Sequence, residues 1–168
     1  YLGWRNPWVE AAFWDIKAKL AGKPLYQLLQ KNPQPVDRLR VYASMGEVRS
    51  VKQRKKDLED LLARGFGAFK LRVHAPSLKE DLDLLEGVAR ILDGRMDMMV
   101  DANQGWPVSL IKKAPVWDLD RAVKFARACE AYSVKWLEEP LDMYAYDDLA
   151  ELRRNTRTPI AGGEMNTG

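Results

Sequence analysis

From Arg38 onward, short apolar runs alternate with longer amphipathic stretches, and this alternation restricts the possible folds more than any other feature of the chain. The runs are "RLRVYAS" (38–44), "GAFKLRV" (67–73), "MDMMVD" (96–101), "VKWLE" (134–138) and "PIAGGE" (159–164). Between them lie helical patterns at about 48–64, 78–92, 118–131 and 145–154. Leu78, Leu82, Leu85, Ala89 and Leu92 share one stripe of the second, and Leu119, Ala122, Ala126 and Cys129 share one of the third. A strand that is always followed by a helix must be rejoined in parallel, so the rhythm predicts a parallel α/β sheet.

Two architectures share that rhythm. A doubly wound sheet carries a glycine-rich phosphate turn after its first strand, and "VYASMGEVRS" has only Gly46 there. A parallel (β/α) barrel of the TIM type is therefore expected. A complete barrel takes eight units and about 250 residues, so five strands within 168 residues make an incomplete one. Before Arg38 the texture is helical. "WVEAAFWDIKAKLAG" places Val9, Ala12, Phe13, Ile16 and Leu20 on one face, Gly22 ends it, and Pro24 opens "PLYQLLQK". The predicted division is 1–37 as a helical segment and 38–168 as the barrel part.

With 46% apolar residues the chain can build a core. Its net charge of +3 comes with no basic stripe interleaved with aromatics, so no nucleic-acid partner is expected, and "KQRKK" (52–56) reads as a solvated helix face. The single cysteine, Cys129, excludes an internal disulfide and falls on an apolar helix face. No run approaches the roughly 18 apolar residues of a membrane span, and no secretory leader is visible. A cytoplasmic protein without a membrane partner is the expectation. The chain starts at Tyr1 and ends in "GEMNTG", which reads as a piece cut from a longer one.

The acids carry the chemistry. Asp101 closes the third run, Glu138 the fourth and Glu164 the fifth, and the C-terminal strand ends of a parallel barrel form one rim where function gathers. Three carboxylates at one mouth repel each other unless a cation lies among them. Oxygen ligands point to a hard divalent ion, with Mg²⁺ the natural candidate. Zinc is poorly served by a lone His74 and a helical Cys129. Strand alternation puts Glu138 on the inner face with Trp136 and sends Glu139 the other way, so Glu138 is the expected ligand.

The second run differs in sign. Alternation in "AFKLRV" sets Lys70 and Arg72 on the inner face and Phe69, Leu71 and Val73 against helices. Inward cations need anions to meet them. Together with the acids and a metal they suit binding a carboxylate and removing the proton beside it, with a lysine of lowered pKa as proton acceptor. A buried ion-pair network is the structural alternative.

The ordered motifs "WDIKAKLAGKPLYQLL", "FKLR", "VDANQGW", "WLEEP" and "IAGGE" resemble the mandelate racemase and muconate lactonizing enzyme group of the enolase superfamily over essentially the whole chain. The resemblance implies that Asp101, Glu138 and Glu164 hold one Mg²⁺, and that Lys70 and Arg72 occupy the K-x-K or K-x-R position. It implies that 1–37 is the end of a capping domain and that Asn103 lines the site for substrate, a role in turn geometry being the alternative. Arg72 stands where many members carry a second lysine, and an arginine is a poor proton acceptor at neutral pH. It is therefore read as a fork for the substrate carboxylate or an electrostatic stabiliser, with Lys70 as helper.

The expected activity is Mg²⁺-dependent abstraction of an α-proton from a small carboxylate, as in an acid-sugar dehydratase. A racemase, epimerase or cycloisomerase shares the first half-reaction. In another class, the chain is a non-catalytic half-barrel needing further strands. The resemblance also implies a homo-oligomer when complete.

Overall fold

The structure is a computed structural model describing residues 7–30, 38–107 and 115–166. These fall into two compact units, one ending at Arg40 and one running over Val41–Asn166. The division expected at residue 37 falls at the edge of 31–37, outside the described residues.

The first unit holds α1 (Pro7–Leu20) and α2 (Leu25–Leu29). Gly22 follows α1 at φ +59°, the left-handed conformation that ends a helix at least cost with glycine. The apolar face read from the sequence differs here. Val9, Phe13, Ile16 and Leu20 are exposed and Ala18 is buried, because a pair of short helices offers too little surface to cover a whole stripe.

The second unit alternates β1 (Ala43–Ser44), α3 (Val51–Ala63), β2 (Ala68–Arg72), α4 (Leu78–Leu92), β3 (Asp97–Asp101), α5 (Leu119–Ala131), β4 (Leu137–Glu138), α6 (Tyr146–Asn155) and β5 (Ile160–Ala161). All neighbouring strands are parallel and the sheet order is β1-β2-β3-β4-β5. A doubly wound sheet reverses its order at a switch point; this one never reverses. Consecutive right-handed crossovers then lay every helix on one side, and α3 packs on α4, α4 on α5 and α5 on α6. The fold is thus the parallel α/β arrangement of a TIM-type barrel, five units long.

Local signals explain the helix starts. Ser50 caps α3 and Ser77 caps α4, each in a reciprocal capping box, with Gln53 and Glu80 respectively. Asp118 caps α5 by accepting the Arg121 N–H. Between the helices and the outer sheet face lies one core that includes Phe69, Leu71, Met98, Val100, Leu85, Val88, Phe125 and Leu137. Cys129 is buried in it. Among the described residues, no helix is long and apolar enough to cross a membrane.

Candidate active site

The register builds the site. Arg72 of β2 pairs with Asp101 of β3, Asp101 with Glu138 of β4, and Glu138 with Ala161 of β5. Residues paired across parallel strands share a level and a face, so a cation and two acids meet in one row. Lys70, one inward step before Arg72, reaches the same row. Its Nζ lies 2.7 Å from Glu138 Oε1 and 3.3 Å from Asp101 Oδ2, and Arg72 Nη2 is 3.3 Å from that Asp101 oxygen. Trp136 Nε1 donates to Glu138 Oε2 at 3.0 Å. The Tyr42 ring packs edge-on to Trp136 at 5.6 Å, with Lys70 Nζ 5.7 Å from its centre.

Burial alone would push the Lys70 ammonium down, but its hydrogen bond to Glu138 and the charges of Asp101 and Glu138 outweigh it. The balance lies above the ordinary lysine value. The two carboxylate partners thus favour the charged form of Lys70, where the sequence reading expected a lowered lysine.

The motif after β3 divides its work. Asn103 adopts φ +52° and its N–H donates to Asp101 Oδ1 at 2.9 Å, fixing that carboxylate through a two-residue turn. Gln104 is buried; its amide donates to the Ala102 carbonyl at 3.1 Å and accepts the Trp117 N–H at 2.9 Å. Sequence reasoning assigned Gln104 nothing, since its partner lies thirteen residues away. It also missed the indole of Trp136 as a donor to Glu138, although their spacing of two on one strand was a usable signal.

Glu139 departs most from the sequence reading. Alternation points it outward, but its φ is +46° and the side chain is buried, 3% exposed, with neither carboxylate oxygen hydrogen-bonded in normal geometry. Burial pushes its pKa above the ordinary glutamate value, and the charges of Glu164, Asp101 and Glu138 add to that, while a contact from the Glu164 amide offsets part of it. A β-carbon on Gly105 would come within 2.5 Å of the Glu139 carboxyl carbon and 2.7 Å of both oxygens. Gly105 is therefore glycine for space, not for turn geometry.

Glu164 lies beyond the row. The glycine pair ends β5 at Ala161, Gly163 taking φ +111°, and Glu164 is exposed three residues later. The expected strand 159–164 is thus shorter, and Ala161 occupies the level where Glu164 was foreseen. Among the described residues no three His, Cys, Asp or Glu side chains are close enough together to hold an ion. Two of the three candidate ligands are gathered, and these two fit a hard cation. Their donors are all oxygen, and Asp101 Oδ2 is buried with no hydrogen bond, facing only the two cations.

Residues 53–168 match the enolase C-terminal domain-like family. The chain belongs to the mandelate racemase and muconate lactonizing enzyme group of the enolase superfamily. Within this superfamily it is 35% identical over 161 residues to the L-talarate/galactarate dehydratase of Salmonella typhimurium, covering 95% of this chain and 37% of the relative. It is 35% identical over 160 residues to the 3,6-anhydro-alpha-L-galactonate cycloisomerase of Streptomyces coelicolor, covering 93% of this chain and 40% of the relative. The crystal structure of the Salmonella dehydratase with Mg and L-lyxarohydroxamate superposes with a TM-score of 0.77 at 34% identity, over 94% of this chain and 37% of that one. A magnesium-bound racemase from Streptomyces coelicolor gives the same score and identity, over 93% and 43%. The chain thus spans less than half the length of these relatives. The relatives include sugar-acid dehydratases, cycloisomerases, a dipeptide epimerase and an amino-acid-derivative racemase.

Proposed function

We propose that Lys70, Arg72, Asp101, Glu138 and Glu164 belong to a Mg²⁺-dependent enzyme that removes the α-proton of an acid-sugar carboxylate. The observation that carries this reading is the row of Arg72, Asp101 and Glu138 at the C-terminal strand ends, with Lys70 between the two acids. Asp101 and Glu138 supply oxygen donors of the kind a hard divalent ion takes. Asp101, Glu138 and Glu164 would hold that ion. When bound, it neutralises charge on the doubly negative enediolate that proton removal creates.

The chain's own groups do the rest. Arg72 Nε is buried without a hydrogen-bond partner, so the guanidinium keeps a free donor for a substrate carboxylate while Nη2 stays on Asp101. Lys70, beside it on the same face, is placed to hold or move a proton at the adjacent carbon. Asn103 positions Asp101 through its backbone, and this bond supports a turn role beside any substrate contact. After the α-proton leaves, expulsion of the hydroxyl from the next carbon as water gives an enol that tautomerises to a 2-keto-3-deoxy acid. Similarity to the talarate/galactarate dehydratase supports this outcome. Ring formation is the second reading, supported by equal identity to the cycloisomerase.

The test is proton exchange. The complete protein is incubated in D₂O with Mg²⁺ and a panel of aldonates and aldarates that includes galactarate, and the α-proton signal is followed by NMR. Exchange should require Mg²⁺, and Glu138→Gln should slow it by at least about 100-fold. Exchange that proceeds equally in Glu138→Gln overturns the assignment.

A further inference from the structure

Glu139 is the strongest feature that the reading above does not use. Its left-handed backbone is a strained conformation for a residue with a side chain, and the fold enforces it from both sides. The Glu139 N–H donates to the Ala161 carbonyl at 2.8 Å, and its carbonyl accepts the Gln104 N–H at 2.8 Å. The carboxylate then fills the space that Gly105 leaves, with both oxygens buried, no hydrogen bond of normal geometry, and only the Glu164 amide acting on it. A buried carboxylate short of donors is costly, so the seat favours bringing the donors of the neighbouring turn closer.

Unfilled donors stand beside it. The amides of Gly162, Gly163 and Glu164 bond to no backbone carbonyl among the described residues. Gly162 lies 3.8 Å from Glu139 Cγ when its missing β-carbon is added, and the two glycines can reshape the turn without steric cost. A cavity of about 300 Å³, lined by Glu139, Gly162, Gly163, Leu141, Met143 and Asn166 among others, leaves the turn room to move.

We propose that Glu139 is a positioning residue for Glu164: its carboxylate accepts backbone N–H groups of the Gly162–Glu164 turn and thereby holds Glu164 toward Asp101 and Glu138. This rests on the reading of the site as a metal centre. Glu139 touches neither metal nor substrate; it sets where the third ligand stands.

The experiment is calorimetric titration of Mg²⁺ into the complete protein without substrate, so that no turnover is involved. Glu139→Ala should weaken Mg²⁺ binding about tenfold or more, whereas Glu139→Gln, which keeps one acceptor oxygen, should stay within about threefold of wild type. On a Glu164→Ala background, Glu139→Ala should add nothing, because it acts through Glu164. Gly105→Ala, which crowds the carboxylate off its seat, should reproduce the loss if Glu139→Ala does not fold. The inference is overturned if Glu139→Ala or Gly105→Ala binds Mg²⁺ like wild type. It is also overturned if Glu139→Gln is as weak as Glu139→Ala, or if the Glu139→Ala loss persists in full without Glu164. Wild-type affinity in Glu138→Gln would instead overturn the metal centre itself.

Discussion

Gly105 and Glu139 form a matched pair, and neither makes sense in the fold without the other. An added methyl at Gly105 meets the Glu139 carboxylate at sub-contact distance, so Gly105→Ala should cost about 1–3 kcal/mol of unfolding free energy. In a Glu139→Ala background most of that cost should vanish, a non-additivity readable from urea denaturation of the two single variants and the double variant. At this scale the sequence was legible where side-chain alternation rules. Lys70, Arg72, Asp101 and Glu138 fall on the inner face because each sits in a regular strand. Glu139 was not legible, because its backbone turns left-handed under bonds to Ala161 and Gln104, residues distant in the chain. Glu164 was misplaced for a related reason: the length of β5 depends on pairing with β4, and "AGGE" alone does not reveal where that pairing stops.

Helices were far more legible than strands. α4 spans Leu78–Leu92 as its apolar stripe predicts, and its capping box is written within four residues. β1, β4 and β5 are two residues each, shorter than their apolar runs, since a strand extends only as far as its neighbours bond to it. One glycine inside a helix marks a packing contact: a β-carbon on Gly87 of α4 would lie 2.6 Å from Val51 Cγ2 of α3. Gly87→Ala should therefore destabilise by about 1–3 kcal/mol despite alanine's better helix propensity, and Val51→Ala should restore most of the loss in thermal melts. The link from α5 to β5 depends on acid. Glu130 accepts the Arg157 N–H at 2.8 Å and the Thr156 hydroxyl at 2.9 Å, and these bonds hold its carboxyl below the ordinary glutamate value. A depressed carboxyl contributes stability that is present above the ordinary value and lost as pH falls through the depressed one. Hydrogen exchange at the Arg157 amide should accordingly lose protection on acidification, and Glu130→Gln should remove that pH dependence.

At the scale of the molecule, the sheet is parallel, unreversed and open. Among the described residues β1 and β5 each pair on one side only. Unpaired edges invite pairing with another chain, so the 168 residues isolated by themselves should self-associate with rising concentration in light scattering. The barrel rhythm and the meeting of Asp101 with Glu138 were readable from the sequence, and the place of Glu164 was not. Periodicity gives strand order, whereas the approach of Glu164 depends on a glycine turn and on Glu139 behind it. The central claim is that Asp101 and Glu138, at the ends of β3 and β4, and Glu164, in the turn after β5, hold one divalent ion. It is tested most directly by a crystal structure of the complete protein grown with Mn²⁺ in place of Mg²⁺ and measured for anomalous scattering. The account predicts one peak within coordination distance of Asp101, Glu138 and Glu164. A peak elsewhere, or none at this row, would contradict it.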